Sequence, residues 1–64
     1  MPYIEIELDY IRGTWDAFLL SDGDIKKWIP RSQIKDPQPH YDYESNVSYT
    51  FEIKQWILEA EGFI

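Results

Sequence analysis

The chain has 64 residues, a formal net charge of −6 and an isoelectric point near 4.4. It contains no cysteine and a single histidine, His40, which excludes a disulfide framework and a Cys/His metal knuckle. A domain this short must therefore be held by side-chain packing, for which three Trp, five Tyr and three Phe provide large apolar surfaces.

The N-terminal residues 3–9 alternate between apolar and acidic side chains, which is the pattern of a half-buried β-strand. The side chains predicted to face the core are Ile4, Ile6 and Leu8, and those predicted to face solvent are Glu5, Glu7 and Asp9. We expect a turn over residues 10–14, where Gly13 supplies conformational freedom.

A β-hairpin is predicted next. Residues 15–20 form its first strand, and Ser21-Asp22-Gly23-Asp24 is a strong turn sequence. Residues 25–29 form the returning strand, which Pro30 ends because proline has no N–H to donate. A short turn or 3₁₀ segment follows over residues 31–34, and its Ile34 is expected to point back to the core.

The C-terminal half is predicted to hold a loop, a strand and a helix. Residues 35–46 contain two prolines and no core periodicity, whereas residues 47–53 alternate as a fourth strand. Helix formers follow over residues 54–61, with Trp56, Ile57 and Ala60 spaced to share one face. Gly62 suits the left-handed position after a helix, and Phe63 the contact that accompanies it.

These elements predict a β-rich α+β fold in a single domain over residues 1–64. The expected architecture is a small, curled antiparallel sheet of four to five strands with a short C-terminal helix. An SH3-like or OB-like barrel uses the same inventory, and an open sheet covered by one helix is the alternative.

Catalytic and metal-binding patterns are weak in this sequence. A nucleophile would need a base beside it, and only the serines and His40 are present to form such a pair. Asp22-Gly23-Asp24 lacks the later ligands of a calcium loop, since Ile25, Lys26 and Lys27 follow it. We therefore expect no enzyme, no metal and no cofactor.

Charge is strongly segregated along the chain. Residues 25–35, called the basic segment, carry four cations and no acid, whereas the flanking stretches hold six acids and one cation each. If residues 25–29 form a strand, Lys26 and Trp28 share one face, a platform that suits a nucleic-acid base and its phosphate. The candidate nucleic-acid contacts are Lys26, Lys27, Trp28, Arg31 and Lys35. The alternative interpretation packs Trp28 in the core and leaves the cations solvated.

The segment Trp28-Ile29-Pro30-Arg31-Ser32-Gln33-Ile34, after Asp22-Gly23-Asp24, resembles a box in small uncharacterised proteins of phages and other mobile elements. A tail with Trp, a short helix and Gly-aliphatic-Ile accompanies it there, and residues 56–64 here are similar, with the aromatic Phe63 between Gly62 and Ile64. The resemblance implies no established activity. It implies a phage-like origin, and small acidic phage proteins are often inhibitors of host machinery, including defence nucleases and, as anti-CRISPR proteins, CRISPR effectors.

The acidic remainder predicts a protein-binding module that meets a basic surface of a host protein, with nucleic-acid mimicry as one mode. The candidate contacts are Glu5, Glu7, Asp9, Tyr10, Tyr41, Asp42, Tyr43 and Glu44. Tyr41 and Tyr43 serve either as such contacts or as packing caps over one end of the sheet. The first residues lack signal-peptide regions, so we expect a cytoplasmic protein without a membrane span, as a monomer or small homo-oligomer.

Overall fold

The structure, a computed structural model, describes residues 2–64. Its four strands are β1 (Tyr3–Gly13), β2 (Ala17–Ser21), β3 (Lys26–Pro30) and β4 (Val47–Lys54). Two 3₁₀ turns lie between β3 and β4, at Arg31–Gln33 and His40–Asp42, and the helix α1 (Gln55–Glu61) follows β4 directly.

The strands form one antiparallel sheet in the order β3-β2-β1-β4. The sheet is curled but does not close into a barrel. After β3 the chain crosses the concave side of the sheet, and Ile34 makes one bridge with Ile53 on the far strand. The prediction of a curled antiparallel sheet with a C-terminal helix is confirmed, in its open form rather than as a barrel.

The core lies on the concave face of this sheet. Its fully buried side chains are Leu8, Phe18, Leu20, Ile29, Ile53 and Leu58. Ile34 is also buried, as its predicted orientation toward the core requires. The loop over residues 35–46 and the helix α1 cover this face, so the opposite face of the sheet is left to solvent.

Strand β1 is longer than the sequence predicts, because it continues through residues 10–13. A bulge at Ile11 shifts the register between Tyr10 and Arg12, and the strand stays paired with β2 up to Gly13. A Cβ at Gly13 would lie 2.6 Å from Tyr10 Oη and 2.8 Å from Phe18 Cδ1. Gly13 thus serves close packing within a strand, and the turn begins one residue later.

The buried face of the helix overlaps the predicted face only at Ile57. Ile57 and Leu58 are buried, whereas Trp56 and Ala60 are exposed. Because α1 continues from β4 without a connecting loop, the direction of the chain leaving β4 decides which helix face meets the core. The predicted ending is confirmed: Gly62 is left-handed, Gly62 N–H donates to Glu59 O, and Phe63 N–H donates to Leu58 O.

Among residues 2–64, no helix is long and apolar enough to cross a membrane.

Candidate functional site

Carboxylates from two neighbouring strands gather on the solvent-facing side of the sheet. The register of β1 and β4 pairs Glu5 with Glu52, Glu7 with Thr50, and Asp9 with Ser48. Side chains alternate between faces along a strand, and the intervening residues face the core. We call the four carboxylates Glu5, Glu7, Asp9 and Glu52 the acidic face.

Glu5 and Glu52 approach each other closely across the two strands. Lys35 N–H donates to Glu52 O at 2.8 Å, so the backbone of Glu52 points away from β1. Glu5 and Glu52 are therefore a non-hydrogen-bonded pair, the type in which opposed Cα atoms lie nearest, at about 4.5 Å. Two like charges directly opposite each other destabilise a sheet.

Two neighbours partly offset the negative charge of the acidic face. Lys35 Nζ lies 3.7 Å from Glu52 Oε2, the one ion pair found among residues 2–64, and both side chains are about half exposed (52% and 46%). At the other end, Ser48 Oγ donates a hydrogen bond to Asp9 Oδ1. Glu5 and Glu7 make no side-chain hydrogen bond or ion pair within the described residues, so their carboxylates are left to solvent.

Tyr10 cannot be a partner contact, and the prediction that included it was wrong. The side chain is only 3% exposed, and its Oη donates to His40 O at 2.9 Å. Burial, followed by the neighbouring phenols of Tyr43 and Tyr49, raises the pKa of Tyr10. The physical reason is the extended β1 strand, whose alternation places Tyr10 on the same face as Leu8.

Of the two loop tyrosines, Tyr43 packs on the core and Tyr41 is exposed. Tyr43 is half-buried, stacks on Tyr10 at a centroid distance of 5.1 Å, and its hydroxyl accepts from Gln38 N–H. It is a packing cap rather than a free contact residue. Tyr41 is 68% exposed, and its ring makes T-shaped contacts with Trp15 and His40.

The loop acids do not join the acidic face. Asp42 and Glu44 are exposed, but they belong to the loop whose Tyr43 packs against the core side of the sheet. Glu5, Glu7 and Asp9 point to the opposite side. The structure therefore separates the predicted partner contacts into two surfaces, and Glu52 takes the place of the loop acids beside Glu5.

The basic segment is dispersed over the molecule. Lys26 and Trp28 share the solvent-facing side of β3, and Lys27 lies on the other face of that strand. Lys35 is drawn to Glu52 at the far edge of the sheet. The five candidate nucleic-acid contacts therefore do not form one footprint.

Arg31 is held in a packing position. Its guanidinium lies over the rings of Trp15 and Phe18 at 5.5 and 5.9 Å, and Nη2 donates to Pro37 O at 3.2 Å. The other terminal nitrogen, Nη1, is buried and has no hydrogen-bond partner among residues 2–64. Arg31 thus supports the loop through these contacts.

Trp28 is exposed, and a residue outside the basic segment accompanies it. Its side chain is 42% exposed, and the guanidinium of Arg12 lies 5.5 Å from its ring centroid. The register Arg12–Leu19–Trp28 across three strands explains this contact. Sequence reasoning missed Arg12 because the pairing that joins it to Trp28 depends on the bulge in β1.

A second exposed aromatic was also missed. Trp15 was predicted to begin β2, but it lies in the β1–β2 turn and is 61% exposed. It lines a shallow groove with Asp16, Arg31, Ser32, Ile34 and Pro37. The Thr14 hydroxyl, which accepts from the N–H groups of Asp16 and Ala17, fixes this turn, a local signal available in the sequence.

The Asp22 turn has a structural role. Asp22 Oδ1 accepts from Asp24 N–H at 2.8 Å and from Ile25 N–H at 2.9 Å. These backbone hydrogen bonds, with that of Ile25 the larger, lower the pKa of Asp22. The Asp22 carboxylate therefore stabilises the turn of the β2–β3 hairpin. Among residues 2–64, no group of three or more His, Asp or Glu is arranged to hold a metal ion.

Neither a protein-family model, nor a curated protein, nor a solved structure matches this chain. The surface of the protein has three notable features: an acidic face on β1 and β4, a Trp28–Arg12 pair on the same side of the sheet, and an exposed Trp15–Tyr41 pair on the loop side.

Proposed function

We propose that the protein is a small protein-binding module whose acidic face docks on a basic surface of another protein. The observation that carries the proposal is the Glu5–Glu52 pair, two carboxylates directly opposed on an exposed sheet face, with Glu7 and Asp9 continuing the row. Four carboxylates on two paired strands form a dense negative surface on a rigid base.

The electrostatics of this arrangement favour a cationic partner. Like charges opposed across a sheet lower stability by roughly 0.2–1 kcal/mol relative to a neutral pair. A lysine- or arginine-rich surface placed over the acidic face would relieve this repulsion. Complementary charge also steers encounter and suppresses wrong partners, which makes such binding fast and dependent on salt.

Nucleic-acid mimicry is the mode that this proposal favours. Residues 5, 7 and 9 project from β1 at intervals of about 6.8 Å, since a strand rises about 3.4 Å per residue. A regular series of negative charges is what a nucleic-acid backbone presents to a basic protein surface. The partner would then be a nucleic-acid-binding protein, and the module would compete with its nucleic acid.

The resemblance of residues 28–34 to small phage proteins supplies the biological context of the proposal. In that context the module is phage-borne, acts in the cytoplasm of the host cell, and inhibits or modulates a host factor such as a defence nuclease. Anti-CRISPR activity falls within this class.

Capture from bacterial lysate tests the proposal if charge-matched variants are compared. The face variant carries Glu5→Gln, Glu7→Gln and Glu52→Gln, and the control variant carries Asp24→Asn, Glu59→Gln and Glu61→Gln. Each loses three negative charges. We expect the wild type and the control variant to capture the same protein and the face variant to lose it. The captured protein, once identified and purified, should be released from the module by its own nucleic acid. Equal capture by the wild type and the face variant would refute the proposal.

A second candidate function, single-stranded nucleic-acid binding, is favoured by the exposed Trp28 ring. Lys26 and Trp28 of β3 lie with Arg12 of β1 on the solvent-facing side of the sheet and could stack one base beside two cations. This candidate predicts quenching of Trp fluorescence by an oligonucleotide at low salt, abolished by Trp28→Ala. Unchanged fluorescence at about 20 mM salt, where phosphate contacts are strongest, would exclude it.

A further inference from the structure

The two edges of the sheet differ in how they are protected. The β3 edge carries exposed Lys26 and Lys27 and ends in Pro30, features that discourage pairing with another strand. Among residues 2–64, the β4 edge is covered only at its C-terminal end, where Ile34 bridges Ile53 and Lys35 N–H donates to Glu52 O. The stretch from Val47 to Phe51 contains no proline, lysine or arginine.

The backbone of this stretch presents free hydrogen-bonding groups. Backbone direction alternates along a strand that is paired on one side, so Ser48 and Thr50 point the same way as Glu52, away from β1. Both residues are exposed, and their N–H and C=O groups make no hydrogen bond outside the sheet to the described residues. The β4 edge at Ser48 and Thr50 is therefore available for one more strand.

We propose that this edge receives an extended, lysine- or arginine-rich segment of the partner protein as a fifth strand beside β4. This inference rests on the proposed function and specifies how the partner binds. Main-chain hydrogen bonds to Ser48 and Thr50 supply the register. Alternate side chains of the added strand then fall on the acidic face.

Charge selects this occupant over a second copy of the chain. Every other side chain of an added strand would project on the same side of the sheet as the acidic face. Glu7 and Asp9 lie there on β1, on the other side of β4 from the added strand. A basic residue there meets carboxylates about one or two strand spacings away, at roughly 5–10 Å. A second β4 would instead bring another Glu5–Glu52 pair toward the first, between chains that each carry −6.

Two peptides of equal charge separate strand addition from charge attraction alone. The first is a ten-residue peptide of alternating lysine and threonine with blocked ends, which can pair as a strand. The second has the same sequence and charge, but every backbone nitrogen is methylated, so it has no main-chain N–H to donate to a neighbouring strand. With ¹⁵N-labelled protein at low salt, the first peptide should shift the amides of Ser48 and Thr50 and slow their hydrogen exchange at least about tenfold. The N-methylated peptide should do neither.

A matched pair of variants tests the same edge from the protein side. Thr50→Pro removes an outward N–H that no internal ladder bond uses, whereas Thr50→Val keeps this N–H and the shape of the side chain. Thr50→Pro should weaken binding of the lysine–threonine peptide at least about tenfold, and Thr50→Val should leave it within about twofold. Unchanged amide shifts of Leu8 and Ile53 establish that the sheet is intact. If Thr50→Pro does not fold, the comparison of the two peptides on wild-type protein decides the question.

The outcomes separate the inference from the proposal on which it rests. Equal binding of both peptides, lost in Glu5→Gln/Glu7→Gln but kept in Thr50→Pro, would overturn strand addition while docking on the acidic face stands. If neither peptide binds at low salt, the result would count against strand addition and against docking on the acidic face. A rise in molecular mass with concentration, with Ser48 and Thr50 protected in the absence of peptide, would assign the edge to a second copy and overturn the inference.

Discussion

Glu5 of β1 lies directly opposite Glu52 of β4, and both carboxylates project into solvent from the same side of the sheet. The next pair along, Ile4 with Ile53, faces the core, where Ile53 is fully buried. The two carboxylates that repel each other are thus held by a pair of strands whose other face is well packed. A surface of this kind keeps its geometry when a partner binds, which reduces the ordering cost of association.

Neutralising Glu5 should stabilise the fold. Glu5→Gln removes the like-charge contact with Glu52 and should raise the free energy of unfolding by a few tenths of a kcal/mol, up to about 1. The measurement is urea denaturation at about 20 mM and 500 mM salt, followed by Trp fluorescence. The gain should shrink at high salt because exposed charges are screened. Glu59→Gln, on the helix, is the control, and a loss of stability in Glu5→Gln at low salt would contradict the expectation.

A methyl group at position 13 should clash with Tyr10 and destabilise the fold. In Gly13→Ala the new Cβ would sit within 3 Å of Tyr10 Oη and Phe18 Cδ1, and overpacking of this kind destabilises by about 1–3 kcal/mol. Tyr10→Phe removes Oη and should relieve part of the clash, so the double variant should lose less than the sum of the single losses. Thermal unfolding of the four proteins measures this coupling. Strict additivity would show that the two residues do not meet.

The buried face of α1 gives a third prediction. Leu58 is fully buried, so Leu58→Ala should lower the free energy of unfolding by about 2–5 kcal/mol. That is a large share of the total for a 64-residue chain, which is about 3–10 kcal/mol. Trp56→Ala should cost about 1–3 kcal/mol, less than Leu58→Ala, because Trp56 is already 39% exposed and its indole N–H donates to Gln33 Oε1. If Trp56→Ala loses more stability than Leu58→Ala in urea titrations, the sequence-based prediction that Trp56 packs on the core would be correct instead.

The hairpin turn should respond to acid through Asp22. Backbone N–H groups hold its pKa below the usual value of about 3.9, so the folded state favours the carboxylate. Its contribution to stability is therefore full above about pH 4 and is lost as the pH falls through the lower folded-state value. A carboxyl-detected NMR titration should place the Asp22 midpoint below 3.9. Asp22→Asn, which keeps the acceptor oxygen, should lose less stability over that acid range than the wild type. A midpoint at or above 3.9 would contradict the hydrogen-bonded turn.

The inward and outward faces of a strand could be predicted where side-chain alternation is unambiguous. Ile4, Ile6 and Leu8 face the core as expected, and the acids between them face solvent, because a half-buried strand has a period of two residues. The turn at Asp22 and the helix ending at Gly62 also follow from local chemistry. These features depend on contacts between residues close in the sequence.

The features that sequence reasoning missed depend on long-range pairing. Gly13 predicts a turn over residues 10–14, yet this glycine lies within β1, where the missing side chain leaves room for Tyr10. Glu52 could not be placed beside Glu5 without the β1–β4 register, 47 positions apart in the chain. The same holds for Arg12 and Trp28, which meet across three strands.

Binding of the captured and purified partner, measured by isothermal titration calorimetry, tests the central claim most directly. At about 50 mM salt, the variant Glu5→Gln/Glu7→Gln/Glu52→Gln should bind at least about tenfold more weakly than the wild type, and the difference should narrow at about 300 mM salt. The variant Asp24→Asn/Glu59→Gln/Glu61→Gln should stay within about threefold of the wild type. Equal affinity of the wild type and the face variant at low salt would contradict docking through the acidic face.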